Sequence, residues 1–120
     1  MRWAEGFIAV DWGTTNRRAY LLGPDRACSD EMEDDQGILA VAPGRFPDAV
    51  AQIRDRLGAR PLLMAGMIGS NRGWIEAPYV PCPAGLADLA ERLAWSEEHS
   101  VAIVPGLSHL TDDRADVMRG

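Results

Sequence analysis

The 120-residue chain has 12 basic residues against 18 Asp and Glu, a net charge of −6, in one domain's worth of sequence able to bury a single modest core. All 12 basic residues are Arg, and the absence of Lys excludes a phosphate-loop NTPase and a protein kinase, which need its positive charge on phosphate, and a Schiff-base enzyme, which needs its amine as nucleophile. The acidic balance argues against a nucleic-acid partner, and the apolar runs fall far short of the roughly 20 residues of a membrane span.

Phe7-Ile8-Ala9-Val10, a small polar turn and Ala19-Tyr20-Leu21-Leu22 predict a β-hairpin over residues 6–22. Residues 25–36 are charged and weakly alternating, which favours an exposed third strand over a loop. Residues 38–42 fit a short strand or a helical turn, two forms that periodicity cannot separate over five residues. Phe46, Ala49, Val50, Ile53 and Leu57 recur at helical spacing and predict a helix over 47–57, with Pro47 suited to its first turn and Gly58 to its end. Residues 62–68 read as a strand buried on both faces, as in a parallel region. A second amphipathic helix is expected over 84–95, with Leu86, Leu89, Ala90 and Leu93 on one face. Residues 101–104 form another short buried strand. Strands alternating with helices after an opening meander give an α/β layer structure. Cys28 and Cys82, with only His99 and His109 to join them, lack zinc spacing and are expected to be reduced and buried. The first residues show no signal-peptide pattern, so the expected location is cytoplasmic.

Three segments could carry chemistry. In Asp11-Trp12-Gly13-Thr14-Thr15-Asn16 an acid closes a buried strand just before a turn that can aim backbone N–H groups and hydroxyls at a phosphate, with a carboxylate near enough to hold hydrated magnesium. A plain hairpin turn would look the same. The segment from Met64 to Pro83 sets Ser70, Asn71, Arg72, Trp74, Glu76 and Tyr79 past the C-terminal end of a buried strand, where open α/β sheets bind ligands. Its polar groups suit sugar hydroxyls, Arg72 suits a carboxylate and the rings suit a sugar's apolar face; the alternative is a proline-rich loop covering the core. The acidic stretch of residues 111–120 could supply a general base, or it could be a solvated turn leading into a helix, the reading favoured for Asp112 and Asp113.

Together, Ile8-Ala9-Val10-Asp11-Trp12-Gly13-Thr14-Thr15-Asn16-Arg17-Arg18-Ala19-Tyr20, the Met64-Ala65-Gly66-Met67-Ile68-Gly69-Ser70 run with Gly73-Trp74, the Glu76-Ala77-Pro78-Tyr79-Val80-Pro81-Cys82-Pro83-Ala84-Gly85 run and Asp116-Val117-Met118-Arg119-Gly120 resemble the 2-dehydro-3-deoxygalactonokinase family. The Asp-x-Gly-Thr-Thr turn alone would indicate only the wider sugar kinase, actin and heat-shock ATPase superfamily. The resemblance implies a ribonuclease H-like (actin-like ATPase) α/β lobe, its mixed sheet opening with an antiparallel hairpin or meander and flanked by helices. It also implies transfer of the γ-phosphoryl group of ATP, with magnesium, to the 6-hydroxyl of 2-dehydro-3-deoxy-D-galactonate.

By that analogy Asp11 acts in catalysis and holds magnesium through water. Gly13, Thr14, Thr15 and Asn16 form the first phosphate loop. Ser70, Asn71, Arg72, Trp74, Glu76 and Tyr79 face the sugar acid, with Arg72 the partner for its carboxylate. Asp116 is the catalytic base, with Glu76 in reserve and a glutamate beyond Gly120 as a further option. Family members continue into a second lobe with the adenosine pocket, so residues 1–120 correspond to the N-terminal lobe. They are expected to be weak or inactive alone and to need a C-terminal lobe in the same or another chain; a homo-oligomer is compatible with this. The rival readings are a non-catalytic sugar-acid-binding module and an actin-like interaction lobe.

Overall fold

A computed structural model describes residues 2–96, 98–112 and 114–119; Asp113 and Gly120 of the acidic stretch and the closing motif lie outside them. The opening meander consists of β1 (Phe7–Trp12), β2 (Arg17–Leu22) and β3 (Cys28–Asp34), each antiparallel to the next. Strand alternation sorts β1 by face. Ile8, Val10 and Trp12 are at most 3% exposed, whereas Asp11 on the other face is open to solvent. Only Met32 of β3 is buried, as expected for a charged edge strand. Residues 38–40 are a 3₁₀ turn rather than a strand.

Helix α1 (Phe46–Leu57) buries Phe46, Ala49, Val50, Ile53 and Leu57 against the face of Ile8, Val10 and Trp12. Each large side chain among them contributes about 1.5–3 kcal/mol relative to exposure. The chain returns through β4 (Leu62–Ala65), parallel to β1, and later through β7 (Val101–Ile103), parallel to β4. Strand β7 is buried throughout.

The apolar run of residues 62–68 is not one strand buried on both faces. Leu63 and Ala65 are only partly buried, and the strand breaks at Gly66. Its φ of +102° is one that L side chains rarely adopt, and a Cβ there would lie 2.7 Å from the Trp12 carbonyl oxygen. Residues 67–69 then form a 3₁₀ turn.

The second expected helix is also corrected. Helix α2 (Leu86–Glu91) has six residues and none of them is buried; Leu86 is 85% exposed. Residues 94 and 95 instead form β6 (Ala94–Trp95), paired with β7 at the sheet edge. The apolar residues near 93–95 thus serve a strand, which limits the helix to its capped first turns.

The first sheet runs β3-β2-β1-β4-β7-β6. A second sheet, not anticipated from the sequence, joins β5 (Tyr79–Pro81), β8 (Gly106–Thr111) and β9 (Arg114–Met118) in the order β5-β8-β9. The stretch expected to start a helix is therefore the return strand of a ribbon. Both cysteines are unpaired and exposed, which corrects the expectation of burial: Cys28 opens an edge strand and Cys82 lies in the proline-flanked turn after β5. Among the described residues no helix is long and apolar enough to cross a membrane.

Candidate functional site

Residues 13–16 join β1 to β2, and their backbone polarity is sorted. The carbonyls of Gly13, Thr14 and Thr15 accept hydrogen bonds from the N–H groups of Ile38, Leu39 and Gly37 at 2.9, 3.2 and 3.2 Å, and Gly13 N–H donates to the Asn16 carbonyl at 2.9 Å. Among the described residues, the N–H groups of Thr14, Thr15 and Asn16 donate to no protein group. The loop thus turns its acceptors inward and leaves its donors free, the polarity of an anion-binding concavity. Gly37 makes this possible, since a Cβ there would collide with the Thr14 carbonyl.

The loop is braced from below. Arg17, 4% exposed, donates from Nε and Nη2 to the two carboxylate oxygens of Asp34 at 3.1 and 2.8 Å. Asp34 also accepts the Gln36 N–H at 3.0 Å, and the Gln36 carbonyl accepts from Trp12 Nε1 at 3.0 Å. Partial burial pushes the Asp34 carboxyl upward, but the Arg17 hydrogen bonds, the Gln36 N–H and the charges of Arg17 and Arg56 outweigh it and hold the group below its ordinary value.

A polar concavity of about 270 Å³ is lined by Asp11, Gly13, Thr14, Thr15, Asn16, Arg17 and Arg18. Asp11 and Arg18 are direct partners across β1 and β2, on the face away from α1. Arg18 pairs in turn with Glu33 at 3.2 Å, whose negative charge raises the pKa of the guanidinium further. Sequence reading passed over Arg18; its signal was register, since the hairpin places it opposite Asp11. Three clefts are larger: a polar one of about 390 Å³ that shares Arg18 with the concavity, and two of about 470 and 580 Å³ that lie elsewhere. The linings of the latter two are mainly apolar, and the larger borders Trp74 and Ile75.

The second group of expected site residues follows the Gly66 break. Asn71, Arg72, Glu76 and Tyr79 are exposed. Ser70 is 8% exposed; its hydroxyl donates to the Met67 carbonyl at 2.6 Å and accepts the Arg72 N–H at 3.2 Å, so it braces the turn. Trp74 stacks on Phe46 at 6.4 Å, and Phe46 meets Trp12 edge-on at 5.7 Å. A line of aromatic rings therefore runs beneath both groups of residues. Gly66 also adjoins Asp11, whose Oδ1 is 3.4 Å from where a Cβ on Gly66 would stand.

Asp116 stands apart from Tyr79. It pairs with His109 on the ribbon, whereas Tyr79 pairs with Gly106, which puts the two on opposite faces of the second sheet. Asp116 is exposed and held by Arg114 at 2.8 Å.

Known proteins are similar to this chain in sequence and fold. A 2-dehydro-3-deoxygalactonokinase of Escherichia coli K12 is 40% identical over 117 residues, which cover 95% of this chain and 39% of that protein. A Rhizobium meliloti protein assigned the same activity is 33% identical over 119 residues, again 39% of its length. A Sinorhizobium meliloti crystal structure assigned to 2-dehydro-3-deoxygalactonokinase superposes with a TM-score of 0.80 at 32% identity, covering 95% of this chain and 39% of that one. The chain thus spans about two fifths of the relatives it matches. The family profile described as 2-keto-3-deoxy-galactonokinase matches residues 11–120, from the acid that closes β1 onward, and on this match the chain belongs to that family.

Proposed function

We propose that this chain forms the sugar-acid half and first phosphate loop of an ATP-dependent kinase that phosphorylates the 6-hydroxyl of 2-dehydro-3-deoxy-D-galactonate, on a ribonuclease H-like lobe. The observation that carries the reading is the sorted backbone of residues 13–16, with carbonyls tied to residues 37–39 and amides free beside two threonine hydroxyls. Family membership supports the substrate class, since the relatives are named for that sugar acid.

Asp11 is the one carboxylate lining the concavity, and no group of three or more metal-binding side chains gathers among the described residues. This donor set fits a hydrated magnesium ion carried by phosphate oxygens rather than one caged by protein. Magnesium bound with ATP supplies charge neutralisation for the transferring phosphoryl group. The amides of Thr14, Thr15 and Asn16 and the two hydroxyls hold phosphate oxygens, and Arg18 adds positive charge opposite Asp11. Asn71, Arg72 and Glu76 hold the sugar acid, Arg72 at its carboxylate, on a turn braced by Ser70 and walled by Trp74 and Tyr79. The 6-hydroxyl loses its proton to Glu76 on the same segment, since Asp116, the base that the resemblance implies, stands on the opposite face of the second sheet from Tyr79; the hydroxyl oxygen bonds to phosphorus as the bond to the leaving phosphate oxygen breaks. A second lobe, in the same or another chain, completes the nucleotide site.

The test is thermal melting of the chain with 2-dehydro-3-deoxygalactonate, its gluconate epimer and magnesium ATP, each added separately. A ligand that binds only the native state raises the melt. The galactonate compound should raise it and ATP should barely move it. A cooperative melt unmoved by either sugar acid overturns the reading.

A further inference from the structure

Arg119 ends the described part of the chain and belongs to no strand, yet its guanidinium is built into the fold. Nη2 donates to the Ala77 carbonyl at 2.7 Å. The Cζ atom lies 4.3 Å from the centre of the Tyr79 ring, within cation–π range. Nε and Nη1 are buried and find no partner among the described residues.

Two glycines make room for this stack. A Cβ on Gly69 would stand 2.9 Å from Arg119 Nη1, and a Cβ on Gly106 would stand 2.6 Å from Tyr79 Cε1. The tyrosine ring is thus seated on Gly106 of the ribbon, and the guanidinium lies against both that ring and Gly69. The ends of the sugar-facing segment are also tied by backbone, since Ala77 N–H donates to the Gly69 carbonyl at 2.9 Å and Gly106 N–H to the Pro78 carbonyl at 3.0 Å. Arg119 touches both ends of residues 69–79. No other cation is recorded over Tyr79 or on the Ala77 carbonyl among the described residues.

From this geometry we infer that Arg119 is a positioning residue for the sugar-acid site: it fastens residues 69–79 into one conformation, and so sets where Asn71, Arg72 and Glu76 stand. The inference rests on the reading of that segment as substrate-facing. The seat is held by one charge-assisted hydrogen bond and one cation–π contact, which act against the cost of two buried donors without a partner among the described residues.

The test compares the wild type with Arg119→Met, which keeps the stem but removes charge and donors, and Arg119→Lys, which keeps the charge and one donor. Amide hydrogen exchange and 2-dehydro-3-deoxygalactonate affinity are measured on the same samples. In Arg119→Met, the amides of Gly73, Trp74 and Ala77 should exchange about tenfold faster while Val10 and Met64 change little. Sugar-acid affinity should fall about tenfold, the loss of one charge-assisted hydrogen bond. Lys should restore part of both.

Unchanged loop exchange overturns the inference, as does equal acceleration at Val10 and Met64, which would mark a merely global effect. A loosened loop with unchanged affinity also overturns it. If the wild type binds no sugar acid, the reading of the site fails instead, and the exchange pattern alone decides whether Arg119 holds the loop.

Discussion

Arg17 grips Asp34 with two parallel hydrogen bonds directly beneath the loop of residues 13–16, one partner almost fully buried and the other about one quarter exposed. Removing one partner leaves the other's charge uncompensated. Asp34→Asn should therefore destabilise the fold by about 2 kcal/mol, less than the 3–5 kcal/mol typical of a fully buried pair because Asp34 keeps some solvent. The pair also gives stability a pH dependence. The folded carboxyl titrates below its unfolded value, so its contribution is present in full above the ordinary aspartate range and is lost as pH falls through the folded value. Denaturant midpoints measured from neutral to acidic pH should fall less steeply in Asp34→Asn than in the wild type.

Gly37→Ala tests the anion-binding reading. The new methyl would meet the Thr14 backbone, and no side-chain rotation can relieve a clash between two backbones. The loop should be pushed off residues 37–39 and its amides misaligned. Phosphate or pyrophosphate titration followed at the amide resonances of Thr14, Thr15 and Asn16 should show binding in the wild type and weakening of about tenfold or more in the variant. Equal binding by both would remove the loop from the phosphate site.

Asp11→Asn should act on chemistry more than on recognition. In a kinase completed by its second lobe, kcat should fall by about 100-fold or more, the scale seen when a group stabilising transition-state charge is removed, while sugar-acid affinity changes little. A large loss of sugar binding with kcat preserved would reverse the assignment. Residues 1–120 alone should show little or no turnover, and robust ATP-dependent phosphorylation by them would contradict the half-site reading.

Phe46→Ala should cost about 3–5 kcal/mol, because the ring is 6% exposed and contacts both Trp12 and Trp74. Chemical unfolding of the purified variant measures this. Trp74 fluorescence should also shift toward the red as its stacked face opens to water.

What the sequence made legible was local. The hairpin, the exposed third strand and α1 follow from alternation, charge and helical spacing, and each is present. The failures came where partners distant in sequence decided the outcome. Leu86, Leu89 and Leu93 match a helical stripe, but nothing packs over Leu86 and the sheet edge takes Ala94 and Trp95. The acidic stretch near 112 reads as a turn before a helix, and only its pairing with residues 106–111 makes it half of a ribbon. Cys28 and Cys82 resemble small apolar residues, yet each falls on an edge or a turn.

The candidate site divides in the same way. Residues 11–16 can be recognised from their own chemistry, whereas the partners that sort the loop's polarity, residues 37–39, carry no sign of it. The functional reading of Ser70 and Trp74 rests on residue type, and type cannot reveal that the Ser70 hydroxyl is already engaged or that one face of the Trp74 ring is already covered.

Residues 69–79 are anchored unequally. One end starts behind Trp12, where side chains are wholly buried. The other is fixed to a ribbon on which every described residue from 109 to 118 is exposed, Leu110 and Met118 by 79% and 69%. A ribbon with so little buried surface should open locally at lower free energy than the core, and residues 69–79 keep their seat on Arg119 only while it stays closed. Apparent affinity for a ligand is reduced by the fraction of molecules not in the competent state. On the proposed reading of residues 69–79, whatever holds the ribbon closed would therefore tighten ligand binding without touching that segment.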